Sequence, residues 1–314
     1  MRPRALRGIA VSNGDVGYRG RDRKRFFIIH NPNAGRSARL LFHETVLRLK
    51  NSGATVDILD TTRHGQGTEA SAQAARSGNF DVIAAAGGDG TVHDVAEGLI
   101  GHPVPLGIIP MGTGNVFARE VGLTQPAHRI ARTLLEGKIR TIPVGQVNGR
   151  PFLFVVGIGF DAEAVRLFES EGTRSYGQVG FVWPVLRALR SYEDKPLKVT
   201  TVDCVQEAQW VLVTRIKRYA GNLILARDAD LHDTHLHLLC LRGNGMLNRA
   251  HQLAALALGV IDRDPAVHAE TVEWVRIEGD PRVPVQVDGE ILGQLPLSIG
   301  LHSDRLKIIF PWPQ

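Results

Sequence analysis

Three times in its first 115 residues the chain runs an apolar segment straight into a glycine-bearing turn, and this repetition restricts the fold more than any other feature. The turns are Asn31-Pro32-Asn33-Ala34-Gly35 after FFIIHN (26–31), Gly87-Gly88-Asp89-Gly90-Thr91 after FDVIAAA, and Met111-Gly112-Thr113-Gly114-Asn115 after PLGIIP. Short, continuous apolar runs of this kind suit strands buried on both faces. Helical stretches separate them. In residues 38–53 Leu40, Leu41, Val46, Leu47 and Leu49 give an apolar face that Gly53 stops, and residues 68–78 open with Thr68 and place Glu69 in the first turn. TVDILDTT (55–62) reads as another strand and Ala127–Gly137 as another helix. Alternating strands and helices over about 110 residues predict an α/β, Rossmann-like domain, a parallel sheet with helices on both faces.

After Lys138 the pattern changes. TIPVGQVNGRPFLFVVGIGF (141–160) is strand, turn and strand about Asn148-Gly149, a hairpin signal. Further short apolar or alternating runs fill 197–242 and 271–310, which predicts an antiparallel β-sandwich with helices inserted at 164–192 and 246–259. A chain of 314 residues is long for one compact domain, and the change of character places the boundary near Ile142. The expected division is a disordered tail at 1–25, an α/β domain at 26–141 and a sandwich at 142–314.

Charge is concentrated in the tail. Residues 1–25 hold eight basic side chains against Asp15 and Asp22, whereas the whole chain carries only +5, so the folded body is close to neutral. That argues against nucleic acid as a partner. Such a tail is predicted to be disordered, and it suits contact with anionic lipid headgroups. Cys204 and Cys240, both in apolar stretches, are expected to be buried thiols of a reducing cytoplasm. No window approaches 18 uninterrupted apolar residues, so no membrane-spanning helix is expected.

Glycine turns leave backbone N–H groups uncovered, and in an open parallel sheet ligands bind beyond the carboxyl ends of the strands. One such turn is most often only a tight connection; three on one sheet edge point to phosphate. Neither GxxxxGK[ST] nor a strand-linked GxGxxG occurs, which removes the usual Walker NTPase and dinucleotide dehydrogenase, and no GxSxG, HExxH or CxxC is present. Asp89 sits inside the second turn, where a carboxylate beside phosphates calls for Mg²⁺ or a hydroxyl. Asp288 and Glu290 flank Gly289 in VPVQVDGEIL. As strand residues they would share one face, and as part of a hairpin turn they would be two solvated acids. His235 and His237 alternate onto the same face of a strand.

NPNAG (31–35), GGDGTVHDV (87–95), PMGTGNVFAR (110–119), VGIGFDAEAV (156–165) and VDGE (287–290) together resemble the diacylglycerol kinase catalytic-domain family, which includes bacterial diacylglycerol and related lipid kinases as well as sphingosine and ceramide kinases. GGDGT alone is shared with NAD kinases and phosphofructokinases. The resemblance implies ATP and Mg²⁺ as cofactors and a lipid substrate met at the membrane surface. It places nucleotide contacts at Asn31, Pro32, Asn33, Ala34 and Gly35, at Thr61, at Gly87, Gly88, Asp89, Gly90, Thr91, Val92 and His93, and at Thr113 and Asn115. It makes Glu290 the general base toward the lipid hydroxyl, with Asp89 organising Mg²⁺ or the phosphates. A second, structural Mg²⁺ would fall on Asp233 with atoms from Asp230 and His235. Here the chain departs from the family: Thr234 replaces a usual Gly, His237 a usual Asp, and RIKRYAGN (215–222) stands for an Asn-x-x-x-x-Gly-Gly element. The stripe Phe181, Val182, Trp183, Val185, Leu186 and Leu189 falls near the family's acyl pocket, although such a stripe is more often ordinary core. The expected function is a lipid kinase, cytoplasmic or peripheral at the inner face of the membrane, and a homodimer is compatible with the sequence. Two alternatives stay open: an NAD-kinase-like phosphotransferase with a soluble acceptor, and an ATP-binding regulator without transfer.

Overall fold

The computed structural model describes residues 23–34, 38–124, 126–170 and 182–312; the tail to Asp22, Gly35 and Phe181 lie outside these described residues. Strands β1 (Arg25–His30), β2 (Thr55–Asp60), β3 (Val82–Gly87) and β4 (Leu106–Pro110) run parallel in the spatial order β2-β1-β3-β4. Helices α1 (Arg39–Asn51) and α5 (Ala127–Glu136) cover one face. The other is covered by α2 (Gln66–Ser77), α3 (Asp89–Glu97) and α4 (Val116–Val121). β3, in the middle, reads VIAAAG and is buried throughout, its small side chains letting helices close on both faces.

Two expectations need correction. The buried stripe of α1 is Phe42, Thr45, Val46 and Leu49, while Leu40 is 81% and Leu47 57% exposed. Phe42 sets the phase: its ring stacks on His30 at 4.1 Å, and burying one such side chain contributes roughly 1.5–3 kcal/mol. Residues 23–25, counted with the tail, belong to the fold. The buried Arg23 guanidinium donates to the carbonyls of Leu134 (2.9 Å) and Gly137 (2.6 Å), a cation on the last turn of α5, and Arg25 opens β1.

The second half is a sandwich, as the short alternating runs predict. One layer is antiparallel, in the order β14 (Val267–Val272), β13 (Leu236–Leu241), β10 (Trp210–Thr214), β7 (Val155–Ile158), β16 (Val285–Val287) and β17 (Glu290–Ile291). The other layer continues the first domain's sheet past β4, through β18 (Leu297–Phe310), β15 (Trp274–Gly279), β8 (Leu197–Thr200) and β9 (Val205–Ala208). Val156, Val213 and Leu238 from one layer meet Val199, Ile277 and Ile299 from the other. β5 (Lys138–Val147) carries the chain across the junction and turns at Asn148-Gly149 into β6 (Arg150–Phe152). Both turn residues have positive φ, 47° and 84°, as the Asn-Gly signal requires. Helices α6 (Phe160–Ser170), α7 (Val182–Ser191) and α8 (Met246–Ala257) flank the sandwich, and β11 (Arg218–Tyr219) and β12 (Leu223–Ile224) form a separate short antiparallel pair. Among the described residues no helix is long and apolar enough to cross a membrane.

β18 joins the halves. It pairs antiparallel with β15 (Ile299 opposite Val275) and with β5, and at its far end parallel with β4 (Ile308 opposite Leu106).

Candidate active site

The strand order lines up four of the expected loops on one sheet edge: Thr61 after β2, Asn31 after β1, Gly87-Gly88 after β3 and Met111-Gly112 after β4. Backbone bonds tie each to its neighbour. Thr61 N–H donates to His30 O (2.8 Å), Asn31 N–H to Ala86 O (2.9 Å) and Met111 N–H to Gly87 O (2.8 Å). The glycines are there for space. A Cβ on Gly112 would stand 2.7 Å from Gly88 Cα, and one on Gly87 would lie 2.2 Å from Thr91 Oγ1. The turns after β3 and β4 are thus in backbone contact, and Gly90 beside them faces open space. Asn31 folds its own loop, its Oδ1 accepting Asn33 N–H at 3.0 Å, and its Nδ2 lies 3.5 Å from Thr91 Oγ1.

Several side chains expected at the nucleotide are committed elsewhere. Asp89 accepts the N–H groups of Val116 (3.0 Å) and Phe117 (3.1 Å), so it caps α4 from the first turn of α3. Burial raises its carboxyl pKa; the two N–H bonds pull back and nearby Asp288 pushes further up. Asn115, with φ of 45°, closes the third turn by accepting Gly112 N–H (2.9 Å) and donating to Gly112 O (2.6 Å). Val92 is buried core, and only its backbone can face a ligand. Thr113 is exposed in the third turn, as Asn33 is in the first. His93 turns away to the second domain.

Its partner there is Asp288. The VDGE segment is a two-residue hairpin turn between β16 and β17, with Val287 opposite Glu290 and positive φ at Asp288 (52°) and Gly289 (89°). The strand reading, with both carboxylates on one face, is therefore corrected, and so is the picture of two solvated acids. The Asp288 side chain is 2% exposed and accepts three consecutive backbone N–H groups, from Leu153 (2.6 Å), Phe154 (2.8 Å) and Val155 (2.9 Å). Consecutive N–H groups of this kind form an anion nest. A fourth bond comes from His93 Nδ1 at 2.8 Å. Burial pulls the His93 imidazolium down, but the Asp288 bond and charge, with Glu97 and Asp94, outweigh it and raise its pKa to about 9. At neutral pH the ring is a cation that donates to Asp288.

Glu290, one residue past the turn, is half exposed, and its Oε1 lies 2.9 Å from His64 Nε2 in the loop before α2. The turn thus touches the first domain through His93–Asp288 and again through His64–Glu290. Behind it, Gln286 Oε1 accepts Gly289 N–H (2.8 Å) and Gln286 Nε2 donates to the fully buried Asp161 (2.7 Å), which also takes the Tyr219 hydroxyl. Burial keeps the Asp161 carboxyl above its usual range, against the bonds from Tyr219 and Gln286. This explains VGIGFDAEAV: a Cβ on Gly157 would fall 1.8 Å from Asp161 Oδ2. Arg119 adds a further link between the domains, donating to Gly114 O (2.9 Å) in its own and to Asn222 Oδ1 (3.2 Å) in the other.

Comparison with known proteins gives the same arrangement a family. The diacylglycerol kinase catalytic domain matches residues 25–147, and the YegS C-terminal NAD kinase beta sandwich-like domain matches 154–310. The diacylglycerol kinase of Bacillus subtilis (strain 168) is 30% identical over 295 residues, 92% of this chain and 97% of the relative. The chain belongs to the diacylglycerol kinase catalytic-domain family. That of Staphylococcus carnosus (strain TM300) is 28% identical over 301 residues, covering 92% and 96%. The crystal structure of a putative diacylglycerol kinase from Bacillus anthracis str. Sterne superposes with a TM-score of 0.77 at 25% identity, covering 92% of this chain and 97% of that one.

Sequence reasoning missed four of this kinase's site residues: His64, Gln286, Tyr219 and Arg119. His64 and Gln286 lie outside any motif, and their roles depend on contacts across more than a hundred residues of chain. Arg119 and Tyr219 fall within PMGTGNVFAR and RIKRYAGN, and Gly157 and Asp161 within VGIGFDAEAV, so the segments carried a signal although the partners of these residues did not.

The loop expected to hold the second Mg²⁺ is built differently. Asp233, His235 and His237 converge, with Asp233 Oδ2 at 3.0 Å from His237 Nε2 and 3.7 Å from His235 Nε2. Asp230 turns away, accepting His232 N–H (2.8 Å) and facing His232 Nδ1 (2.7 Å). Mg²⁺ demands oxygen ligands in near-octahedral array. One carboxylate between two imidazoles does not fit it.

Proposed function

We propose that this kinase transfers the γ-phosphate of ATP to a primary hydroxyl of a diacylglycerol-like or sphingoid lipid, with Glu290 as the general base. The observation that carries this reading is the position of the 288–290 turn, held against the glycine-turn edge through His93 and His64. Phosphoryl transfer needs mainly positioning, charge neutralisation and a group to orient the attacking hydroxyl. The chain's own parts match those needs. The turns after β3 and β4 offer backbone N–H groups in a space that any side chain on Gly88 or Gly112 would narrow. Glu290 is the exposed acid of the turn, able to receive the hydroxyl proton, while Asp288 fixes the turn from beneath. Burial raises Asp89 and Asp94 alike, so the rim gathers acids that a cation would relieve. Mg²⁺ arriving with the nucleotide would neutralise phosphate charge there, with Asp89 acting through its charge while its oxygens cap α4. The rest of the reading concerns the substrate's source. Val182 (58%), Trp183 (64%) and Leu186 (52%) are exposed on α7, not ordinary core, and α8, packed beside α7, exposes Leu247 and Leu258. These side chains suit peripheral contact with the inner face of the membrane, where the lipid resides.

The test is transfer from labelled ATP and Mg²⁺ to mixed micelles of diacylglycerol, monoacylglycerol, sphingosine and ceramide, with NAD as a soluble competitor. Label is expected in a lipid, and Glu290→Gln should lower the rate roughly 10²–10⁴-fold with the fold intact. Label entering NAD alone, or a Glu290→Gln enzyme near the parent rate, defeats the reading.

A further inference from the structure

Arg215 follows β10, and its side chain is 2% exposed. Its guanidinium is surrounded by backbone oxygens. Nη1 donates to Asp233 O (2.8 Å) and His235 O (3.2 Å), and Nη2 to Leu231 O (3.0 Å) and Pro143 O (3.2 Å). Three of the four acceptors alternate along one loop, at 231, 233 and 235. Alternate carbonyls turned to one point, with a carboxylate alongside, are the ligand pattern of a hard cation. Here the cation at that point is part of the chain. A guanidinium has five N–H donors in a plane, is weakly hydrated for a cation, and is the basic side chain best suited to burial among acceptors. Burial lowers its pKa to about 10, with Asp233 and Asp230 opposing and Arg305 assisting, so it stays charged at neutral pH.

We propose that Arg215 takes the place of a bound divalent ion at the 231–237 loop, so that the fold of this kinase needs no structural metal. A dication at the same carbonyls would meet a fixed positive charge and lose three of its oxygens to N–H donors. His235 and His237 agree with this, since Asp233 is satisfied by His237 and by Asp230 N–H (2.8 Å) rather than by an ion. The site also has a structural task. Arg215 N–H donates to Phe154 O (3.0 Å), and Phe154 is the central residue of the Asp288 nest, so the arginine ties the loop to the catalytic turn.

The experiment uses the full chain, purified without chelator. Metal content is measured by plasma mass spectrometry, and melting temperature is read with EDTA and with added Mg²⁺ or Zn²⁺, without nucleotide. A site filled well above its dissociation constant would raise Tm by several degrees. The expected result is well under one equivalent of divalent metal and the same Tm in each condition. An equivalent of metal, or a metal-dependent rise in Tm, that disappears in Asp233→Asn overturns the proposal; metal retained in Asp233→Asn is bound elsewhere and leaves the loop metal-free, as proposed. Arg215→Met, which keeps the length and removes the charge, should melt roughly 5 °C or more lower. An unchanged Tm in that variant also overturns the proposal. If Arg215→Met fails to fold, the Asp233→Asn arm still decides, because it leaves the arginine and its carbonyl acceptors in place.

Discussion

Two turns of the second domain carry paired acids, Asp288 with Glu290 and Asp230 with Asp233, and they solve opposite problems. The first buries one carboxylate completely on three N–H groups and an imidazolium, which leaves the other half exposed and bonded only to His64 across the domain junction. The second leaves Asp230 at the surface and Asp233 partly buried, both paired with histidines, and turns its carbonyls inward onto a buried arginine. In both a buried ion fixes a turn. In one it is an anion and the turn presents an exposed acid to the first domain; in the other it is a cation and the turn closes on itself. The lesson is that acidic motifs cannot be valued by their carboxylates alone. What the backbone of the turn offers, N–H groups or carbonyls, decides which charge is buried and therefore which acid is left to act.

The largest effect should come from Asp288→Ala. It leaves three buried N–H groups and an imidazolium without a partner, a cost of about 3–5 kcal/mol, and should cut turnover at least ~100-fold as the Glu290 turn loses its anchor. Urea unfolding together with lipid-phosphorylation kinetics reads both. Near-parental turnover would mean that the two turns do not differ in the way described. A smaller effect should appear with pH. The folded His93 pKa of about 9 lies above the ordinary 6.5, so the fold binds the proton more tightly than the unfolded chain does. That stabilisation is fully present below pH 6.5 and is lost as pH rises through about 9. Comparing Tm from pH 6.5 to 9.5 in the parent and in His93→Gln, the parent should lose up to about 3 kcal/mol more; parallel curves would remove the imidazolium from the anchor. The smallest effect should follow Asp230→Ala in the other turn. Its side chain is 66% exposed and bonds only locally, so stability should change by about 1 kcal/mol or less and turnover by under about twofold. A collapse of activity in this variant would make both turns catalytic.

Where sequence reasoning succeeded, the signal was local. β1, β3 and β4 are short apolar runs ended by glycine, and parallel order alone brings Asn31, Gly87 and Met111 to one edge. Asn148-Gly149 named its hairpin because only positive φ closes so tight a turn. In α1 Leu40 and Leu47 misled, since the buried phase is set by Phe42 meeting His30 on β1. Asp288-Gly289 left hairpin and strand equally open, and neither reading contained the nest at 153–155, which lies 135 residues upstream. RIKRYAGN looked like a damaged motif; its arginine acquires meaning only through carbonyls up to 72 residues away. Local spacing reports where backbone conformation is forced. It does not report which distant group supplies the counter-charge.

The path of β18 has a consequence for how the protein comes into being on the ribosome. The parallel sheet of the first domain is drawn from residues 25–110, yet the neighbour that covers β4 is made of residues near Ile308. While synthesis is under way, that apolar sheet keeps an open edge, with β4 able to accept a foreign strand until the final stretch has emerged. The same ribbon also pairs with β15 and β5, so the cover for β4 and part of the sandwich layer depend on the same late residues.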